Sequence, residues 1–289
     1  MKKSTVVALI AALLCMISGA LMLAIGYGMG GWAAALELAD KSSILDLHSG
    51  INISPKMSAK MTEYGDYDLN YDADDIHNLE MDIAAANVCI QDNTKDGKIY
   101  VNIEGARYYC ENHDGTIKLS VEGNNPGKSE VTVLIPQGYS FNSETWKIAA
   151  SNVEIGSMIS DQLDITVGAG DLEIDKLVGE RATIEIGTGS LRIKNAKLED
   201  MDISCGAGNV EMNGVVTDDF NIECALGNVS LTLKDNPDDH NINLEAALGN
   251  ITYNGKDYAG IASTVEDNGT DSDYNIECAM GDIDISFKD

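Results

Sequence analysis

Between Ser151 and Gly227 the chain returns to a small residue every 19 positions, four times in succession: Ser151, Gly170, Gly189, Gly208, Gly227. Around each lies one motif, Φ-x-Φ-x-Φ-[GA]-x-G-[DNS]-Φ-x-Φ, where Φ is apolar. Six segments carry it: Leu163–Ile174, Ala182–Ile193, Met201–Met212, Phe220–Leu231, Ile242–Tyr253 and Tyr274–Ile285. Two weaker copies precede them, Leu79–Ile90 and Glu144–Ile155. After Gly227 the spacing lengthens to 22 and then 32, at Gly249 and Gly281, through insertions at Lys234–Asn241 and Asn254–Asp273. A fixed period broken by localised insertions is the mark of a stacked repeat with surface loops.

Apolar residues recur at every second position, as in Ile165, Val167, Leu172 and Ile174. That period specifies strands with one buried face and excludes a helical repeat. The small-x-small corner lets the chain turn sharply, because glycine accepts positive φ. A second corner is expected around Asp175–Arg181. Two short strands cannot fold alone, but they can form one rung of a solenoid rising about 4.8 Å per turn. The fold expected is therefore all-β, a right-handed parallel β-helix of about 19-residue rungs, the hand being the default for parallel connections. An antiparallel sandwich also spaces short strands regularly, but it has no reason to hold one residue class at one phase four times over. The reading requires Val167, Ile186, Cys205 and Cys224 to share a single interior column.

Stacking turns equivalent positions into ladders. One corner position reads Asn87, Asn152, Asp171, Ser190, Asn209, Asn228, Asn250 and Asp282, residues that satisfy backbone donors at turns. Outward positions carry Glu173, Glu185, Glu211, Glu223, Glu245, Glu277 and Asp284, with Arg192 and Lys194 interrupting one acidic column. No calcium-binding β-roll or EF-hand spacing accompanies these carboxylates, so no metal ligand is assigned. Cys205, Cys224 and Cys278 fall in an inward slot and are read as free core thiols. Cys89 lies on an outward phase and Cys110 in a loop or edge strand, a pair able to bond in an oxidising compartment. Ahead of the regular rungs, Lys98–Ile103, Thr116–Val121 and Glu130–Ile135 alternate as hairpin strands or broad first rungs.

The N-terminus carries a different signal. Lys2 and Lys3 precede an uncharged stretch from Ser4 to Leu36, most apolar from Val6 to Ile25 and long enough for a helix across a bilayer. The run is longer than a signal-peptide core, and Ala33-Ala34-Ala35 lies well past it, which favours an uncleaved transmembrane anchor. Leu14 before Cys15 does not suit lipoprotein processing. The two lysines keep the N-terminus in the cytoplasm, so the rest lies outside the cell membrane. Three regions follow: a cytoplasmic tip and anchor at 1–36, an extracellular linker or cap at 37–75 with one short strand at Leu45–Ile53, and the β-solenoid at 76–289. Tyr64, Tyr67 and Tyr71 alternate loosely with acids and are read as a sticky linker or an N-terminal cap over the solenoid end in preference to a ligand-binding aromatic strip. Beyond Ile25 lie 17 basic and all 47 acidic residues, a formal charge of −30. Such a surface favours solubility and excludes nucleic acid as a main partner.

These features resemble a known family. A lysine-led anchor ends in Ile25-Gly26-Tyr27-Gly28-Met29-Gly30-Gly31, a strand ends in Leu134-Ile135-Pro136-Gln137-Gly138, and repeats follow the type Asp164-Ile165-Thr166-Val167-Gly168-Ala169-Gly170-Asp171-Leu172. Together, over roughly residues 75–289, they resemble the bacterial DUF4097 family of adhesin-like β-strand-repeat proteins. The resemblance implies a single-pass envelope protein of Gram-positive type with an outer β-solenoid and no established enzyme activity. It brings no catalytic, cofactor-binding or metal residue with it.

The residues point the same way. His48, His77, His113 and His240 are scattered outside the regular rungs, and GxSxG, HExxH and P-loop spacings are absent. The function expected is non-enzymatic surface interaction or adhesion through an envelope protein or polymer, without a cofactor. The alternative, implied by the resemblance to that family, is an accessory role in envelope-stress sensing through membrane-protein partners; Gly26–Gly31 is read first as a flexible exit from the bilayer and second as a stretch that helps helices approach.

Overall fold

The computed structural model describes residues 62–63, 69–122, 128–258 and 262–288. The anchor, Cys15, His48, the strand expected at Leu45–Ile53, Tyr64 and Tyr67 lie outside these residues. Among the described residues no helix is long and apolar enough to cross a membrane.

The described chain is built from 24 strands. The repeats stack in parallel, with register partners 19 residues apart: Leu163 pairs with Glu144 and Ala182, Ala182 with Met201, Met201 with Phe220. Two continuous ladders result. One joins the longer strands Phe141–Ala150, Met158–Ala169, Leu177–Thr188, Asp200–Ala207 and Phe220–Leu226. The other joins Val153–Ile155, Leu172–Ile174, Leu191–Leu198, Val210–Val216 and Val229–Leu233. Val167, Ile186, Cys205 and Cys224 do share one column, and all are buried. Beside it runs a second, Met81–Trp146–Ile165–Ile184–Ile203–Ile222, which fills the interior with large apolar side chains. Each such side chain contributes roughly 1.5–3 kcal/mol through burial.

The central rungs have three sides where the alternation indicated two. Met158 and Ser160 pair with Leu177 and Gly179, Leu177 with Ala196, and Ala196 with Gly214. The corner expected at Asp175–Arg181 is thus largely strand. Gly179 and Glu180 weaken the apolar alternation there, which conceals the third side in the sequence.

Why glycine recurs at the corner is explicit. At Gly208, φ is 151°, and a Cβ there would stand 1.7 Å from the carbonyl oxygen of Gly189 one rung away. Any side chain collides with the neighbouring backbone. The next position supplies the expected hydrogen-bond ladder, but between rungs. Asn152 Oδ1 accepts from the Asp171 amide, Asp171 Oδ1 from Ser190, Asn209 Oδ1 from Asn228, and Asn228 Oδ1 from Asp282.

Chain order and stacking order differ at both ends. Tyr274–Ile285 lies between the Phe220–Leu231 and Ile242–Tyr253 rungs, pairing in parallel with both. The mirror arrangement occurs at the other end. Asn78–Ile83 lies between Thr116–Glu122 and Phe141–Ala150, and Asn87–Thr94 between Glu130–Pro136 and Val153–Ile155. A simple chain-order stack, the sequence expectation, holds only for the middle. The outermost rungs carry antiparallel strands: Arg107–His113 and Lys98–Glu104 at one end, Ala262–Glu266 and Lys256–Tyr258 at the other. Leu69–Asp72, at the end of the expected linker, pairs with Lys98–Val101 and belongs to this cap.

Candidate functional site

The residues singled out in the sequence form ladders more than sites. The outward acids occupy two columns. In one, Glu154 and Glu173 precede Arg192 and Glu211, and Lys194 binds Asp175 and Glu173, each at 2.6 Å. These acids hold the Lys194 ammonium up at about 12, Asp175 more strongly. In the other column Glu223, Glu277 and Glu245 stand on adjacent rungs without a cation between them. Partial burial and then the charges of Glu245 and Glu223 raise the Glu277 carboxyl above its ordinary range.

Asp200, Asp218 and Asp219 bring one ligand oxygen each within 4.8 Å of the others. Existing bonds account for their proximity. Arg181 Nη2 lies 2.7 Å from Asp200 Oδ2, while the amides of Asp219 and Asp273 donate to Asp200 Oδ1 and Asp219 Oδ1. These aspartates continue the corner ladders.

Cys89, Cys110, Cys205, Cys224 and Cys278 are all free thiols. Cys89 and Cys110 do not bond to each other: Cys89 pairs in register with Thr132 and Glu154, whereas Cys110 pairs with Leu119 and lies 3.3 Å from the Tyr71 hydroxyl. Tyr71 belongs to the cap strand Leu69–Asp72.

A polar cluster that no sequence motif announces lies where the last repeat inserts. Asn236 caps a single turn at Pro237–Asp239, its Oδ1 accepting from the Asp238 amide. The turn delivers His240 into the interior, where its ring stacks on Tyr274 at 4.1 Å between centroids. His240 Nδ1 lies 2.6 Å from Ser272 Oγ, and Nε2 lies 3.2 Å from Asp235 Oδ2. The Tyr274 hydroxyl reaches the same Asp235 oxygen at 2.7 Å and the Val216 carbonyl. Burial first, then the hydrogen bond to Asp235, pushes the Tyr274 phenol far above its ordinary range.

Serine, histidine and aspartate invite comparison with a hydrolytic triad, in which the imidazole accepts the serine proton. Here the proton runs the other way. Ser272 has one hydroxyl proton, and it donates to the Asp218 carbonyl at 2.6 Å. His240 Nδ1 must therefore donate to Ser272. Ser272 and His240 are also buried. The cluster clamps the inserted rung to its neighbours. Only the insertion Lys234–Asn241, interrupting the period just before His240, could have drawn attention to it in the sequence.

The surface carries one further feature. Among the described residues, the exposed large apolar side chains are Leu226 at 44%, Met280 at 43% and Leu248 at 66%. All three occupy the same corner position on adjacent rungs, Leu226 pairing with Met280 and Met280 with Leu248. Earlier rungs place Ala150, Ala169, Thr188 and Ala207 there. The apolar ridge is thus confined to the C-terminal end.

Comparison with solved structures finds similar chains. No curated protein matches the chain. A "putative adhesin" from Bacteroides fragilis is similar at 16% identity, covering 75% of this chain and 94% of its own, with a TM-score of 0.42. A "putative adhesin" from Parabacteroides distasonis is similar at 13% identity, over 75% and 94%, with a TM-score of 0.43. A "putative cell adhesion protein" from Clostridium sporogenes is similar at 14% identity, over 74% and 93%, with a TM-score of 0.32. At the family level the match is direct: the Toastrack DUF4097 family model matches residues 76–278, and the chain belongs to the Toastrack DUF4097 family.

Proposed function

We propose that this protein is a non-enzymatic, membrane-anchored surface module, its N-terminus in the cytoplasm and its β-solenoid outside, that binds an envelope protein or polymer. The Leu226–Met280–Leu248 ridge carries the reading. Large apolar side chains exposed on three adjacent rungs lose solvation energy for no structural return, because each stands at a corner where alanine or threonine serves elsewhere. A contact partner explains their size. The stacked rungs, whose interior is filled by side chains, suit rigid display beyond a tether. The apolar run from Val6 to Ile25 behind Lys2 and Lys3 supports the anchor and its orientation.

The test is in-cell photocrosslinking from position 280, with Leu226→Ser and Leu248→Ser as the comparison. Capture of one envelope component, lost in the double variant, is the expected result. No specific capture, or a C-terminus found inside the cell by surface labelling, overturns the reading. A captured sensor complex would favour the accessory role in envelope-stress sensing.

A further inference from the structure

The C-terminal rungs repeat their outer face as well as their interior. Phe220–Leu226, Asp273–Met280 and Asn241–Leu248 stack in that order and in register. Each places a carboxylate three residues before its exposed apolar corner: Glu223 before Leu226, Glu277 before Met280, Glu245 before Leu248. An acidic row therefore runs along the stacking axis beside the apolar ridge. Ala225, Ala279 and Ala247 stand between the two rows and add little height. Past the corner, Asp282 and Asp284 are exposed on the middle rung.

No base balances these acids. Phe220–Leu231, Tyr274–Ile285 and Ile242–Tyr253 contain no Lys, Arg or His. Earlier rungs differ. In the column of Glu223 they carry Lys147, Thr166, Glu185 and Ser204, and in the other acidic column Arg192 and Lys194 pair with Glu211 and Glu173. The uncompensated carboxylates and the exposed large apolar side chains thus coincide on the same rungs.

Charge selects what covers the ridge. Carboxylates about 4.8 Å apart on neighbouring rungs repel. A cover that excludes water from the ridge also removes screening from the row beside it, which deepens the repulsion unless the cover brings positive charge. A second copy of the chain, with its own net −28, does not. Spacing selects the form of the cover. Successive rungs place equivalent side chains at about 4.8 and 9.6 Å along the axis. A helix laid along that axis offers residues i+3 and i+7 at about 4.5 and 10.5 Å from residue i. An extended strand offers same-face residues about 6.7 Å apart and loses register by the second rung. The two rows are three strand residues apart, about 10 Å, which is the width of one helix.

We propose that the Leu226–Met280–Leu248 ridge and the Glu223–Glu277–Glu245 row together dock a basic amphipathic helix of a partner protein. The helix lies along the stack, its apolar stripe on the ridge and its Lys or Arg stripe over the carboxylates. This inference rests on the surface-module reading and names the chemistry of the partner.

The experiment is photocrosslinking from position 280 of the full-length chain, held in neutral-lipid nanodiscs, to labelled peptides of about 15 residues. One peptide carries leucine and lysine on adjacent helical stripes, a second replaces its lysines with glutamate, and a third alternates leucine and lysine at the strand period. Saturable capture of the first alone is expected. Glu223→Gln, Glu245→Gln and Glu277→Gln together should raise its half-saturation concentration about tenfold without lowering the melting temperature, and about 1 M salt should weaken capture by the native chain similarly. The inference is overturned if the acidic or strand-period peptide is captured as well as the first, if the triple variant captures the basic helix unchanged, or if position 280 links to a second copy instead. An in-cell partner captured from position 280 that has no basic helix removes this inference and leaves the surface-module reading standing. Absence of any in-cell partner removes both.

Discussion

Cys224 and Cys278 are 54 residues apart in the chain and register partners on adjacent rungs. Their pairing follows from the inserted last repeat, which also puts Cys278 between Cys224 and Ala246. In a Cys205→Ala background, a mild oxidant should link Cys224 to Cys278, since neighbouring strands hold Cα atoms about 4.8 Å apart, within disulfide reach. With Cys278→Ala and Ala246→Cys added, residues 224 and 246 stand two rungs apart and should not link. Non-reducing peptide mapping reads both. Linkage in the second variant alone would mean that the rungs stack in chain order.

Tyr274 marks the repeat that belongs in the gap, because its hydroxyl reaches Asp235 and Val216 while its ring packs on Phe220 at 5.5 Å. Tyr274→Phe keeps the ring and removes the hydroxyl. The expected loss is about 2 kcal/mol in denaturant unfolding. An Asp235→Asn variant should add much less on top of it, since the two share one network.

The corner glycines differ sharply from those at open turns. Gly208→Ala forces a Cβ against the Gly189 carbonyl and should cost about 3 kcal/mol or more. Gly138 also has positive φ, 74°, but nothing lies within 4 Å of its Cβ position. Gly138→Ala should cost about 1 kcal/mol. Equal losses in urea unfolding would contradict the stacked-corner geometry.

Glu144 stands in the inward register of Leu79 and Leu163, 1% exposed, with neither carboxylate oxygen hydrogen-bonded. Burial raises its carboxyl well above the ordinary range. The folded state therefore favours the protonated acid. Stability is fullest below the unfolded-state value, about 4.3, and falls as pH rises towards the folded-state value, by about 1.4 kcal/mol for each unit between them. Glu144→Gln should match the native chain at pH 4 and unfold at a higher denaturant concentration at pH 8. Parallel pH profiles for the two proteins would show that Glu144 is not the buried acid responsible.

Glu277 illustrates the milder case. Glu277→Gln relieves repulsion from Glu223 and Glu245 and should stabilise by about 0.5 kcal/mol at neutral pH, less in 1 M salt, because the site is only half-buried. A thermal shift that is insensitive to salt would argue against stacked charges as the cause.

Most of the fold was legible locally. Alternation told which side chains point inward, the 19-residue return set the rung, and small residues with Asn or Asp beside them marked the corner. These patterns report on one rung's immediate surroundings, and chain spacing carries them faithfully. They predicted the column through Val167, Ile186, Cys205 and Cys224 because, in the middle of the molecule, successive rungs are also neighbours.

At the ends that identity fails. Every rung presents nearly the same edge, so the repeat pattern is equally satisfied whether Ile242–Tyr253 or Tyr274–Ile285 lies on Phe220–Leu231. The insertion and the particular fit of Tyr274 to Phe220, His240 and Asp235 decide between them, and that fit exists only once the chain has doubled back. The sequence by itself determined rung length, inward face and corner chemistry, all properties of local periodicity. The tertiary structure alone decided rung order, the third side and the clamp around His240, because each depends on contacts that spacing does not encode.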